Sequence, residues 1–220
     1  MSDPRVDHLD ALDLANVLVA MCDTMSGRTE ELTHADQVIG DGDHGLAMER
    51  GFRAARETIA QEPAPDDVGL LLERFGTAML TSMGGASGPV YGSLFRRGAQ
   101  PLKGERAFDA RSLAAFLEAG LIGVQERGGA KVGDKTLVDA LAAAAEAARA
   151  SCEESLGLSL AAAAAAANEG KERTRDMRAT MGRARSLGDR SIGHIDPGAL
   201  SFALMLEAGS AAVNRAAPAS

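Results

Sequence analysis

Apolar positions recur at helical spacing along almost the whole chain, and the strict alternation of a half-buried strand is scarce. A first helix is expected over roughly Val6 to Ser26, with Leu9, Leu12, Val17, Leu18 and Met21 on its buried face. A short turn of helix continues to about Thr33. The second helix runs from about Leu46 to Ala60 and is ended by "QEPAPDD". The third spans roughly Asp67 to Ser82 and carries Leu71, Leu72, Phe75 and Met79. "GPVYGSLFRRGA" gives a short fourth, and "QPLKGERAFDA" a loop ending on Asp109 as a helix cap. The fifth covers roughly Ala110 to Glu126, the sixth roughly Lys135 to Ala150, and the alanine tract "SLAAAAAAANEGKERTRDM" the seventh. The eighth opens at "DPGALSFALMLEAGSAAV", where Asp196 suits the cap and Pro197 the first helical position.

These elements predict an all-α fold, an antiparallel up-down bundle of about eight helices. No linker and no strong internal repeat divides residues 1–220, so one domain is expected, with the first few residues and the tail "RAAPAS" frayed.

The glycine-rich segments "GDGDHG", "GGASGPVYG", "GGAKVGDKT" and "SIGHIDPG" fall between helices one and two, three and four, five and six, and seven and eight. If successive helices run antiparallel, as short loops favour, all four lie at one end of the bundle. The other end receives "QEPAPDD", "QPLKGERAFDA" and "ASCEES", which carry little chemistry.

Composition sharpens this picture. Hydrophobic residues are 45% of the chain but aromatics only 3%, with no Trp and a single Tyr. Alanine, the strongest helix former, makes up the difference, which predicts helices packed closely through small side chains. A net charge of −8 argues against a nucleic-acid binder that works by neutralising phosphates. The opening "MSDPRVDHLDALD" lacks the order of a signal peptide, and no apolar run approaches the roughly 18 residues of a membrane span. Cys22 and Cys152 stand far apart without partner ligands and read as buried thiols in a reducing compartment. The expectation is a soluble cytoplasmic domain.

The glycine-rich end carries the candidate chemistry. Asp36, Asp41 and Asp43 form a D-x4-D-x-D spacing of oxygen ligands only, which suits Mg²⁺ or Ca²⁺ rather than zinc or copper. A helix–loop–helix calcium site counted from Asp41 would need an oxygen ligand where Gly45 stands and a glutamate where Phe52 stands, so that reading fails. Three carboxylates fit one magnesium ion, or a pair sharing a polyphosphate. The same spacing admits a plainer role, with Asp36 and Asp41 as helix caps and Asp43 as a solvated loop charge.

"MGGASGP" exposes backbone N–H groups ahead of a helix and adds the Ser87 hydroxyl, as an anion-binding loop requires. "GGAKVGDKT" is no P-loop, because Asp134 interrupts the Gly-Lys-Thr run and no strand precedes it. Asp134 is expected to cap the sixth helix, with Thr136 or Asp139 as local polar groups and Lys131 and Lys135 within reach of a phosphate. Of Arg178, Arg183, Arg185 and Arg190, one is expected to pair with a phosphate or with a transferring phosphoryl group. His44 and His194 flank glycines; a general-base role is open to either, and local hydrogen bonding is the expectation. Together these features describe a magnesium–nucleotide polyphosphate site on a helical scaffold.

The blocks "IGDGDHG", "GGASGPVYG", "GGAKVGDKTLVDAL" and "GRARSLGDRSIGHIDPGA" resemble, in order, those of the nucleotide-binding L subunit or L domain of dihydroxyacetone kinases. The resemblance extends from Asp36 to Ala199. It implies a barrel of eight antiparallel helices with ADP or ATP and two Mg²⁺ at one end. It places the metal-binding aspartates on Asp36, Asp41 and Asp43. Nucleotide contacts fall on His44, Gly45, Leu46, Ala47, Ala86, Ser87, Gly128, Leu137, Arg183, Asp196, Pro197 and Gly198, and Arg183 is the candidate for transition-state charge. Departures are Arg185 and Ser186 where relatives often carry serine then tyrosine, Leu200 where many carry threonine, and Leu137 in place of a methionine beside the base.

The resemblance further implies that a hydroxyketone is held on a separate K subunit and that this chain alone is inactive towards free ketone. Two donors stay open: exchangeable ATP, or a phosphocarrier protein of the sugar phosphotransferase system that rephosphorylates a resident ADP. Two rival readings are a non-catalytic nucleotide-sensing module that docks on a regulator, and a helical bundle whose glycine loops are only turns.

Overall fold

The computed structural model describes residues 6–61 and 64–216. In chain order the elements are β1 (His8–Asp10), α1 (Ala11–Ser26), α2 (Thr29–Ile39), α3 (His44–Gln61), α4 (Val68–Ser82), α5 (Ser87–Gly98), β2 (Ala107–Asp109), α6 (Ala110–Gly128), α7 (Leu137–Ala150), α8 (Leu156–Arg173) and α9 (Pro197–Ala216), with short 3₁₀ turns at Gln100–Leu102, Thr174–Asp176 and Arg183–Ser191. Helices α1, α3, α4, α5, α6, α7, α8 and α9 pack each against the next, and α9 closes the ring on α1. This is the expected all-α arrangement, with α2 lying against α3 as an addition. The fraying expected at both ends falls on residues 1–5 and 217–220, outside the described residues, while α9 continues through Arg215 to Ala216.

Three local differences from the sequence reading have physical reasons. Residues His8–Asp10, expected at the start of the first helix, form a strand antiparallel to Ala107–Asp109, with Leu9 opposite Phe108. Helix α1 starts only after Asp10, whose carboxylate accepts a 2.8 Å hydrogen bond from the Asp13 N–H. Where a turn of helix was expected to fade at Thr33, α2 runs to Ile39 and buries Leu32 and Ile39. Lys135, expected inside the sixth helix, has φ +61°, and α7 begins two residues later.

The core follows from the composition. Four ring contacts join Phe52, Phe75, Phe95, Phe116 and Phe108 into one line across α3, α4, α5, α6 and β2, with centroids 6.4, 4.5, 5.5 and 6.5 Å apart. Such offset and edge-on pairs add stabilisation beyond the area they bury. On the other side of the ring, α7 and α8 meet through Ala140, Ala144, Ala148, Ala163 and Ala167, all fully buried. Gly170 sets their approach: a Cβ there would lie 2.6 Å from the Asp139 carbonyl oxygen. Small residues permit this closeness, and a larger side chain would force the helices apart.

Side-chain caps secure most of the helix starts. Helices α1, α4, α6 and α8 are capped by the side chains of Asp10, Asp67, Asp109 and Ser155. Each such cap supplies roughly 1 kcal/mol by satisfying amides that have no partner in the helix. Helix α5, which starts at the other end, has no side-chain cap hydrogen bond at Ala86. Of the two thiols, Cys22 is fully buried, and burial pushes its pKa up to about 12. Cys152 is only half-buried, which corrects the expectation for that residue.

Candidate functional site

A cavity of about 310 Å³ opens at the end of the ring where α3, α5, α7 and α9 begin. Their first residues, His44, Ser87, Leu137 and Pro197, all line it. Residues from all four glycine-rich segments contribute to its wall. Four helix N-termini therefore present their positive dipole ends to one space, an arrangement that favours an anion.

The three aspartates line the same cavity. Asp36 comes from the last turn of α2, and Asp41 and Asp43 from the loop that follows. One carboxylate oxygen from each can be chosen so that all lie within 4.8 Å of one another. That set of hard oxygen donors fits a divalent cation such as magnesium. The plainer role is also partly present, because Asp36 Oδ2 accepts from the His44 N–H at 3.2 Å, at the start of α3. Asp41 caps no helix: its Oδ2 accepts from Arg183 Nε at 2.7 Å.

Of the other expected contact residues, Ala86, Gly128, Arg183, Asp196 and Gly198 also line the cavity. Gly45, Leu46 and Ala47 do not: Ala47 is buried in the core, and Leu46 points outward, 51% exposed. Gly45 packs against α2 so closely that a Cβ would meet the Thr29 carbonyl oxygen at 2.2 Å. Val90, Val124, Leu137 and Val138 add an apolar side to the cavity, and Gly128 and Ala130 leave room beside them.

Asp196 accepts a 2.8 Å hydrogen bond from the Ala199 N–H and so caps α9 as expected. Burial pushes its pKa up to about 7, against the opposing pull of that bond and of the Lys135 ammonium. Burial likewise pushes His44 below the ordinary histidine value, favouring the neutral ring. His44 Nδ1 lies 3.2 Å from Ser87 Oγ, and Nε2 lies 2.9 Å from Ser201 Oγ. The local hydrogen-bonding role expected for this histidine is what the geometry shows.

The lysine loop differs from expectation. Thr136 caps α7, and Asp139 answers it in a reciprocal capping box. Asp134 instead binds the Lys131 N–H at 2.7 Å and the Thr180 hydroxyl at 2.6 Å, tying the loop before α7 to the segment before α9. It was expected as the cap because it is acidic and near the boundary. The Thr136-x-x-Asp139 signature was the better signal, and it stands in the sequence. Lys135 is 1% exposed, and its ammonium donates to the carbonyls of Thr174 and His194, so it is a structural tether rather than a free phosphate ligand.

Of the four arginines, only Arg183 lines the main cavity. Arg178 pairs with Asp189 at 3.3 Å. Arg185 borders a second, open groove that shares Gly40, Asp41, Gly182 and Arg183 with the first cavity. The His194 ring is not among the lining residues. Tyr91 and Ser201, which sequence reasoning missed, join His44 in a buried hydrogen-bond chain; nothing in their spacing announces it.

A family model described as the DAK2 domain matches residues 38–211, so the chain belongs to the DAK2 domain family. It groups there with dihydroxyacetone kinase subunits. The chain is 39% identical over 201 residues to the PEP-dependent dihydroxyacetone kinase, ADP-binding subunit DhaL, of Escherichia coli, covering 90% of this chain and 95% of that protein. It is also 39% identical over 177 residues to an ADP-binding subunit DhaL of Listeria innocua, covering 80% of this chain and 84% of the relative. Among solved structures, the dihydroxyacetone kinase from C. freundii in complex with AMP-PNP and Mg²⁺ superposes with a TM-score of 0.72 at 26% identity. That match covers 94% of this chain but 35% of the other, so this chain spans about a third of that kinase.

Among the described residues no helix is long and apolar enough to cross a membrane.

Proposed function

We propose that this chain, as one L-type unit, holds a magnesium adenine nucleotide in the cavity and passes a phosphoryl group to a small hydroxyketone held on a separate K subunit. The observation that carries this reading is the convergence of four helix N-termini and three carboxylates on one cavity. Neither feature alone selects a ligand. Together they suit a polyphosphate bridged to protein carboxylates by divalent cations.

In this reading Asp36, Asp41 and Asp43 hold the cation sites, with two ions as the family resemblance implies. The amides at the uncapped start of α5, Ala86 and Ser87 among them, take phosphate oxygens. Val90, Val124, Leu137 and Val138 enclose the base, and Asp196 to Gly198 border it from α9. Magnesium, when bound, supplies neutralisation of the charge on the transferring phosphoryl group. Arg183, once released from Asp41, adds a guanidinium on the side that opens to the second groove. This reading requires no base for the acceptor hydroxyl from this chain and assigns any base to the partner.

The names of the two DhaL relatives, PEP-dependent and ADP-binding, favour the mode in which ADP stays bound and a phosphocarrier protein rephosphorylates it. The test mixes this chain with a K subunit and dihydroxyacetone. One arm adds ATP, and the other adds PEP with the phosphocarrier proteins. Phosphorylated ketone in the PEP arm, with ADP-loaded chain in catalytic amount, is the expected result. No transfer with either donor, despite nucleotide binding, would support a sensing module instead.

A further inference from the structure

The second groove leads into the cavity along a positive wall. It has a volume of about 690 Å³, and half of its lining residues, Ile39, Gly40, Asp41, Gly182 and Arg183, also line the cavity. Its outer part adds Arg185, Ser186 and Leu187 from the 3₁₀ turn, and Gln37 and Val38 from α2. Residues 174–192 carry five arginines, two aspartates and neither lysine nor glutamate. That is a net charge of +3 in a chain whose net charge is −8.

Within this segment Arg183 is paired with Asp41, and Arg178 with Asp189. Arg185 is exposed, and among the described residues its guanidinium has no hydrogen bond or ion pair. The wall that presents it is held in place. Ile39, Ala179 and Ala184 form a small apolar cluster with Leu187 packed against it. The Ser191 hydroxyl accepts from the Ala179 N–H at 2.9 Å and donates to the Gly188 carbonyl at 2.7 Å. An unpaired cation on a fixed wall therefore adjoins the cavity.

A phosphoryl group borne on a protein side chain carries up to about two negative charges at neutral pH, whereas a small hydroxyketone is neutral. We propose that this groove is the docking surface for a carrier protein in its phosphorylated state, and that Arg185 draws the phosphoryl group towards the ADP. The inference rests on the magnesium–nucleotide reading and adds to it the surface that receives the donor. In the transfer, an oxygen of the ADP β-phosphate forms the new P–O bond while the bond from phosphorus to the carrier breaks. The carrier keeps the bonding electron pair and takes up a proton from solvent. Arg185 lies outside the main cavity, so its charge acts on the approach and raises the association rate rather than the rate of that step. Val38, 43% exposed, gives the same groove an apolar contact for the carrier.

The test measures transfer from a phosphocarrier protein, phosphorylated from PEP, to Mg-ADP on the full chain, with carrier concentration and salt varied. Arg185→Gln is expected to lower the second-order rate constant about tenfold at low salt, and Arg185→Glu further, with Arg185→Lys close to wild type. The salt dependence is expected to flatten in Arg185→Gln. The rate at saturating carrier, Mg-ADP affinity and melting temperature are expected to stay at wild-type values. A merely structural residue would show no such grading with charge.

Equal rate constants across the series, or a loss confined to the saturated rate, would overturn the proposal. So would a charge-graded loss in transfer to K-bound dihydroxyacetone with carrier transfer unaffected, which would give the groove to the K subunit. If ATP alone supports ketone phosphorylation, no phosphorylated carrier docks, and the proposal falls while the kinase reading stands. If no donor supports it, the two fall together.

Discussion

Arg183 Nε sits 2.7 Å from Asp41 Oδ2, so, among the described residues, the one arginine on the main cavity is paired with one of the three clustered carboxylates. The guanidinium side chain is 70% exposed and the carboxylate 35%. An ion pair so open to water contributes on the order of 0–1 kcal/mol. It is therefore easily exchanged: under the proposed function, a cation arriving at Asp41 would displace Arg183 and free its guanidinium at the cavity wall.

That exchange predicts a particular kinetic split. Arg183→Gln should lower turnover with the K subunit by about 10³-fold, in line with arginines that stabilise a transferring phosphoryl group. Mg-ADP affinity should change little, because the pair with Asp41 is weak and the carboxylate remains. Titration calorimetry beside steady-state rates separates the two, and an equal loss in both would assign Arg183 to ground-state binding.

Lys135 predicts a stability effect. Its buried ammonium holds the carbonyls of Thr174 and His194, which bracket the segment leading into α9. Lys135→Met keeps the apolar stem and leaves both carbonyls without that donor, at about 1–3 kcal/mol for each group that stays unsatisfied. Thr174 O keeps the Met177 N–H, so denaturant unfolding should show a loss of roughly 1–3 kcal/mol, from the His194 carbonyl. A loss under about 0.5 kcal/mol, the range of ordinary surface substitutions, would show that the tether does not matter.

Asp196 predicts the direction of a pH effect. Its pKa is about 7 in the folded protein, against about 3.9 for an unperturbed aspartate. Between those values the folded state holds more protons than the unfolded one, so this group lowers stability as pH rises from about 4 to 7. In nucleotide-free protein, Asp196→Asn should gain on the wild type across that window and hold a constant advantage above it. Melting temperatures of both proteins against pH test this, and a difference that does not vary with pH would contradict it.

Much of this was legible in the sequence for identifiable reasons. Helical periodicity, with Asp109 and Asp196 as expected caps, gave most of the ring, and the placement of glycines between alternate helices gave the end at which the cavity lies. What escaped depends on contacts distant along the chain. The pairing of His8–Asp10 with Ala107–Asp109 involves three residues a side and leaves no readable alternation. Helix α2 buries only Leu32 and Ile39, so its apolar stripe is faint. Lys135 looks like a solvated charge in any one-dimensional reading, and only the fold shows its two carbonyl partners. The Tyr91–Ser201–His44–Ser87 chain joins residues of α5, α9 and α3, and no local pattern encodes it.

The most direct test of the central claim is the melting temperature with ADP, measured with magnesium and with a chelator, in wild type and in Asp43→Asn. Ligand at about 100 times its Kd adds about 2.7 kcal/mol, which for a chain of this size is a shift of about 5–10 °C. The account predicts that shift for the wild type with magnesium, and little or none with chelator or in Asp43→Asn. A wild-type shift that is absent, or that is the same without magnesium and without the Asp43 carboxylate, would contradict it.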